Sequence, residues 1–288
     1  MNDSDGVDVR GAAVAGPLTS PGRILAAQRI AELAVELHDS SSVEETVDAA
    51  VQFAVQALNC VDVFFVLDKG AAKTKLRALR EEILRRHAKD RRYRLAEAPS
   101  PPRDAAPADY RAAVDELNQA KQAVFEKLIA EVQDGETGAF LVWGDPMLYD
   151  STIRNLDALK EGGLAFDCEV IPGITAIQAL AAAHKIPLNR IAEAVTITTG
   201  RKLANGFPPG VDSVVVLLDG EDTFRRFADQ DVEIYWGAYL GTPDEILIAG
   251  KVKDVAEEIH RRRSEARRAN GWIMDTYLLR RATTPSSR

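Results

Sequence analysis

An apolar run over residues 138–143, Gly-Ala-Phe-Leu-Val-Trp, stops abruptly at Gly144-Asp145-Pro146, and a helical pattern starts near Ser151. A buried strand, a tight turn and a helix in immediate succession make a βα unit, which commits the chain to an α/β fold. Ligands in such folds lie beyond the carboxyl ends of the strands, so this turn is the first place to look for a site. Gly144 has no Cβ and lets a ligand approach the backbone. Pro146 fixes the chain direction and withholds a donor. Asp145 can accept hydrogen bonds from an amine or a hydroxyl. Gly-Asp-Pro is equally an ordinary turn, with Asp145 in a capping role.

The pattern repeats along the chain. Residues 61–67, Val-Asp-Val-Phe-Phe-Val-Leu, read as a buried strand that ends at Asp68-Lys69-Gly70. A charged helix follows, with Leu76, Leu79, Ile83 and Leu84 inward. Residues 94–97 form a short strand, and the Pro-rich stretch 98–109 reads as a loop. A long helix spans 110–132. Beyond the central βα unit, residues 166–171 read as another strand, ending in Pro172-Gly173-Ile174-Thr175-Ala176 and a helix of small apolar residues over 177–184. Further strands are predicted at 194–198, 214–218, 233–239, 245–248 and 272–279. The stretch 252–268 reads as a basic helix with the run 260–263, His-Arg-Arg-Arg, on its solvated face. This order predicts two α/β lobes, residues 55–160 and 161–288. Ahead of them, residues 1–22 read as a flexible leader and residues 23–54 as a helical segment that resembles the opening helices of a GAF-type sensor domain.

Composition narrows the function classes. The 288 residues carry a formal charge of −8, which argues against a nucleic-acid surface. Two cysteines and four histidines are scattered without metal-ligand spacing, so no metal is expected. No Gly-x-Gly-x-x-Gly follows a strand, against a dinucleotide fold. The opening residues lack the layout of a signal peptide, and no apolar run is long enough for a bilayer. A cytoplasmic protein without a membrane partner is expected.

Six blocks carry a family resemblance: residues 61–70, Gly138 through Gly144-Asp145-Pro146, Ile171-Pro-Gly-Ile-Thr175, Ile197-Thr-Thr-Gly200, residues 235–245 and residues 271–277. From about Val55 to Arg281 the chain resembles the tetrapyrrole (corrin/porphyrin) methyltransferases that use S-adenosylmethionine. More closely, it resembles the deacetylating branch of aerobic cobalamin biosynthesis. The resemblance implies a two-lobed tetrapyrrole methylase fold with the active site between lobes. It implies methylation of precorrin-5 at C-1, with water as co-substrate and acetate as co-product. Homodimers are common in this superfamily, so one is an expectation here.

Carried over position by position, the cofactor contacts fall on Trp143, Gly144, Asp145 and Leu148, on Thr175 and Ala176, on Leu218 or its neighbour, and on Gly241. Methyl transfer from a sulfonium needs alignment and exclusion of water more than covalent help, which suits a site of backbone groups and small residues. Acetyl loss needs water to attack a carbonyl, where a general base and an oxyanion partner assist. Asp68, Asp145 and Tyr149 are the catalytic candidates because they flank strand ends. Each also fits a structural role, as a loop Asp, a capping Asp and a core-edge Tyr. A substrate rich in carboxylates calls for cations, and Lys69, Arg201 and Lys202 sit just past strand ends. Trp143 and Trp236 could stack on a flat ring or belong to the core.

Members of the superfamily begin with a strand and a Gly-x-Gly-x-Gly-x-Pro turn. Here the resemblance starts inside the following helix, and residues 13–19, Ala-Val-Ala-Gly-Pro-Leu-Thr, echo that turn only faintly. A second reading follows: a fused or shortened member that binds tetrapyrrole or cofactor without turnover.

Overall fold

The computed structural model describes residues 62–69, 78, 81–82, 84–85, 92–99, 101, 109–133, 137–142, 144–271 and 273–281. The leader and GAF-like expectations for residues 1–54, and the cofactor contact at Trp143, lie outside these residues. Among the described residues no helix is long and apolar enough to cross a membrane.

Two sheets organise the chain. The first holds β1 (Asp62–Lys69), β2 (Arg92–Pro99) and β3 (Thr137–Phe140) in the order β2-β1-β3, all parallel. Parallel neighbours need long crossovers, and helix α1 (Tyr110–Ala130) supplies the one between β2 and β3. Its Leu128 packs on Ala96 and Ala98 of β2 together with Val124 and Phe140. The Phe125 and Phe140 rings meet at 4.5 Å between centroids. Helix α2 (Thr152–Glu161) lies along α1, tied by Lys121 Nζ to Ser151 Oγ at 3.0 Å and Gln122 Nε2 to Asn155 Oδ1 at 3.3 Å.

The second sheet is mixed, in the order β4-β5-β8-β6-β7. Its strands are β4 (Val195–Thr199), β5 (Ser213–Leu217), β6 (Val232–Ala238), β7 (Ile246–Lys251) and β8 (Asp275–Arg281). Only β4 and β5 run parallel; β8 is antiparallel to β5 and β6, and β7 to β6. Side chains alternate strictly between two cores, as a period of two requires. Val214, Val216, Ile234, Trp236, Tyr277 and Leu279 face helix α5 (Val252–Asn270) through Val252, Ala256, Ile259 and Ala266. Val215, Tyr235 and Leu278 face helix α3 (Ala176–His184) through Ile177 and Leu180. Helix α4 (Gly200–Leu203) and a 3-10 turn (Thr223–Phe227) follow β4 and β5.

Several expectations need correction. Residues 166–171 form no strand; Asp167, Cys168, Glu169 and Val170 are exposed and join no ladder. The strand expected over 138–143 pairs only from Thr137 to Phe140, on Val63–Val66 of β1. The Pro-rich loop starts later than 98, since β2 runs to Pro99. A proline is tolerated there because β2 is an edge strand among the described residues. Trp236 is fully buried and belongs to the core. Arg263 does not share the solvated face of its run: it is buried. It falls on the stripe Val252, Ala256, Ile259, Arg263, Ala266, which is the 3.6-residue period of an inward helix face.

Candidate active site

The site is assembled from turns. In the first, Gly144 has φ +67°, a left-handed conformation that glycine adopts without strain. Asp145 is 6% exposed. Its Oδ1 accepts from the Met147 amide at 2.8 Å, closing a local turn of the kind Asp side chains favour. Its Oδ2 accepts from the Gly173 amide at 2.9 Å. Asp150 Oδ1 then accepts from the Thr152 amide at 2.6 Å, which satisfies the first amide of α2.

The second turn is pressed on the first. A Cβ at Gly173 would sit 2.0 Å from the Gly144 carbonyl oxygen, so no other residue fits without separating the turns. A Cβ at Gly144 would touch Ile174, Thr175 and Ala176 at 3.6–4.0 Å. Thr175 caps α3 in a reciprocal box: the Gln178 amide donates to Thr175 Oγ1 at 3.3 Å, and the Thr175 amide to Gln178 Oε1 at 2.8 Å. The positive end of the α3 dipole therefore abuts Gly144.

Two more turns close the arrangement. Leu218, after β5, has φ +54° and is 69% exposed, held out from the sheet end. Gly241, after β6, has φ +73°, and its amide donates to Glu245 Oε2 at 2.8 Å. One apolar cluster gathers Ile177, Leu180 and Val215 with Leu148, Leu217 and Leu240. Gly144, Leu148, Thr175, Ala176, Leu218 and Gly241 are therefore members of, or close chain neighbours to, a single packed group, although they span about a third of the chain.

The other candidates are placed less closely. Both oxygens of Asp145 are engaged by backbone amides, so in this arrangement it clamps two turns rather than offering a free base. Tyr149 is exposed with φ +53° on the same loop. Asp68 and Lys69 are the last two residues of β1. Arg201 and Lys202 are exposed on α4, just past the end of β4.

Sequence reasoning missed a buried polar network behind the Leu218 turn. The Asp219 carboxylate accepts from the Glu221 amide at 3.0 Å, the Thr223 amide at 2.7 Å, Thr223 Oγ1 at 2.9 Å and the Tyr277 hydroxyl at 2.6 Å. Arg263 donates to the Asp219 carbonyl and pairs with Asp275 at 2.7 Å and Asp222 at 3.1 Å. Trp236 Nε1 also donates to Asp275, and His260 Nδ1 meets Asp222 Oδ2 at 2.5 Å. Burial and the adjacent Asp219 carboxylate push the Tyr277 hydroxyl well above the usual phenol range, so it stays a donor. The only sequence signal was Asp219-Gly220, which reads as a plain turn.

Comparison with known proteins assigns the family. Residues 52–256 match the Tetrapyrrole (Corrin/Porphyrin) Methylases. The chain is 49% identical over 230 residues to a precorrin-6A synthase [deacetylating] of a Sinorhizobium species, covering 79% of this chain and 88% of that one. It is 38% identical over 160 residues to a precorrin-4 C(11)-methyltransferase of Mycobacterium tuberculosis, covering 48% of this chain and 62% of that one. Among solved structures, a cobalamin synthesis related protein (CobF) from Corynebacterium diphtheriae superposes with a TM-score of 0.64 at 34% identity, covering 79% of this chain and 92% of that one. The chain belongs to the tetrapyrrole (corrin/porphyrin) methylase family, whose members use S-adenosylmethionine.

Proposed function

We propose that this protein methylates precorrin-5 at C-1 and releases acetate, giving precorrin-6A, in aerobic cobalamin biosynthesis. The observation that carries this reading is the 49% identity to a precorrin-6A synthase over 88% of that relative. The non-catalytic alternative has no such support. The reading takes residues 55–160 and 161–288 as the two lobes, with the site where the turns after β3, β5 and β6 meet α3. It also takes the protein as cytoplasmic.

The residues present fit S-adenosylmethionine. Gly144 leaves open the space a Cβ would fill against Thr175 and Ala176. Leu148, Leu218 and Gly241 would complete the cradle. When bound, S-adenosylmethionine supplies an electrophilic methyl group on a sulfonium. The chain's own part is to hold this geometry: the Asp145 clamp fixes the Gly144 turn, and the apolar cluster beneath excludes water. Lys69, Arg201 and Lys202 bind substrate carboxylates and orient the ring. Tyr149 and Asp68 are the candidates for directing water at the acetyl carbonyl. In that step water adds to the carbonyl carbon, the bond to the ring breaks, its electron pair stays on the macrocycle, and acetate leaves. Isothermal calorimetry with S-adenosylhomocysteine tests the cofactor half of the reading; absence of binding would contradict it.

A further inference from the structure

The turns after β4 and β5 are in direct contact. A Cβ at Gly200 would lie 2.5 Å from Asp219 Oδ1 and 2.7 Å from Asp219 Cβ. Gly200 opens α4, which carries Arg201 and Lys202. Asp219 follows Leu218 directly in the chain. Asp219 is 7% exposed, and its carboxylate is held by the donors from Glu221, Thr223 and Tyr277. The arrangement is stiff on both sides. Tyr277 comes from the middle of β8, which pairs with β5 through Val216↔Tyr277. Arg263 grips the Asp219 backbone from α5 and is itself fixed by Asp275 and Asp222. A buried carboxylate with this many donors cannot yield to a neighbour without leaving donors unpaired.

We propose that Asp219 is a positioning residue that sets the substrate side and the cofactor side of the cleft together. Its side chain is the surface on which Gly200 rests, so it fixes where Arg201 and Lys202 stand. Its backbone fixes the left-handed Leu218 and the side chain that Leu218 presents. This inference rests on the proposed methyltransferase reading, in which Leu218 meets the cofactor and Arg201 and Lys202 meet the substrate. It adds that the two contacts share one mechanical anchor. Loosening the anchor therefore weakens both ligands at once, whereas loss of either contact alone weakens one.

The test uses the full chain and compares Tyr277→Phe with Ile259→Val, a core substitution in α5 that removes none of the hydrogen bonds to Asp219. Thr223→Val, which takes only the hydroxyl donor, is the second anchor variant should Tyr277→Phe fold poorly. Three quantities are measured: melting temperature, the Kd of S-adenosylhomocysteine, and KM for precorrin-5. Both anchor variants should raise Kd and KM together, by on the order of two- to thirty-fold for a coupling residue. Ile259→Val should lower the melting temperature and leave both constants unchanged. If the anchor variants also shift only the melting temperature, Asp219 is merely structural and the proposal is wrong. A rise in Kd alone or KM alone equally overturns the shared anchor. If the wild-type chain itself binds no S-adenosylhomocysteine, the methyltransferase reading fails, and the proposal with it.

Discussion

Asp145 accepts a hydrogen bond from the Gly173 amide across 28 positions of chain, at 2.9 Å, and this bond joins the turn after β3 to the turn before α3. The closeness of the join depends on Gly173, where any side chain would collide with the Gly144 carbonyl. Gly173→Ala should cost about 1–3 kcal/mol through overpacking, and it should weaken S-adenosylhomocysteine binding as the turns part. Asp145→Asn keeps the size but can accept through only one atom, leaving a partly buried amide without its partner at a cost of about 1 kcal/mol. Thermal melting and calorimetry on both variants check this. Full affinity in Gly173→Ala would mean that the turn contact is not part of the site.

Gly144→Val separates space from strain. The contacts a Cβ would make are ordinary van der Waals distances, so the main structural cost is the left-handed φ, about 1–2 kcal/mol and larger for a β-branched residue. Sequence reasoning expects an intact fold with weaker cofactor binding. The positive φ adds a drop in melting temperature to that expectation. Unchanged affinity for S-adenosylhomocysteine would remove Gly144 from the site.

Part of the candidate site is legible in the chain and part is not, for physical reasons. Gly144 and Gly241 follow strands, and turns after strands are where α/β folds place ligands, whereas Thr175 follows a run that only reads as one. The central strand β5 of the second sheet is readable because both its faces are buried, Val214 and Val216 in one core and Val215 in the other, which makes it a continuous apolar run. The Asp145–Gly173 bond is invisible locally, because nothing in 28 positions of spacing encodes a contact. Residues 166–171 misled because an apolar-flanked run reads as a strand whether or not a neighbour exists to pair with it. Arg263 was hidden by its own charge: a run of basic residues reads as solvated unless each member is placed on the helix period and matched to Asp275 and Asp222. The Asp219 network draws on β5, β8 and α5 together, which no single segment reveals.

Arg201 and Lys202 stand exposed on α4, and the proposed reading sets them against substrate carboxylates. Substituting either with Gln should raise KM for precorrin-5 and flatten its salt dependence, with the Kd of S-adenosylhomocysteine unchanged. Steady-state kinetics at two ionic strengths test this. A fall in cofactor affinity with KM unchanged would reassign both residues.

Asp212 gives the fold an acid-sensitive tie. Burial disfavours its charge, but the Ser213 hydroxyl at 2.8 Å and Arg190 at 2.6 Å outweigh that and hold the carboxyl below the usual range. A depressed folded value stabilises above the unfolded pKa, about 3.9, and that stability is lost as pH falls through the folded value. Asp212→Asn should therefore lower the melting temperature near pH 7, by the equivalent of about 1 kcal/mol or less for a partly exposed pair. The gap to wild type should close as pH falls below about 3.9. A gap that stays constant down to acid unfolding would exclude this tie.

The most direct measurement is a single-turnover incubation of the purified chain with precorrin-5 and methyl-labelled S-adenosylmethionine, following corrinoid mass and acetate together. One labelled methyl should enter the macrocycle for each acetate released. A chain that leaves the corrinoid unlabelled, or that labels it without releasing acetate, would contradict the account.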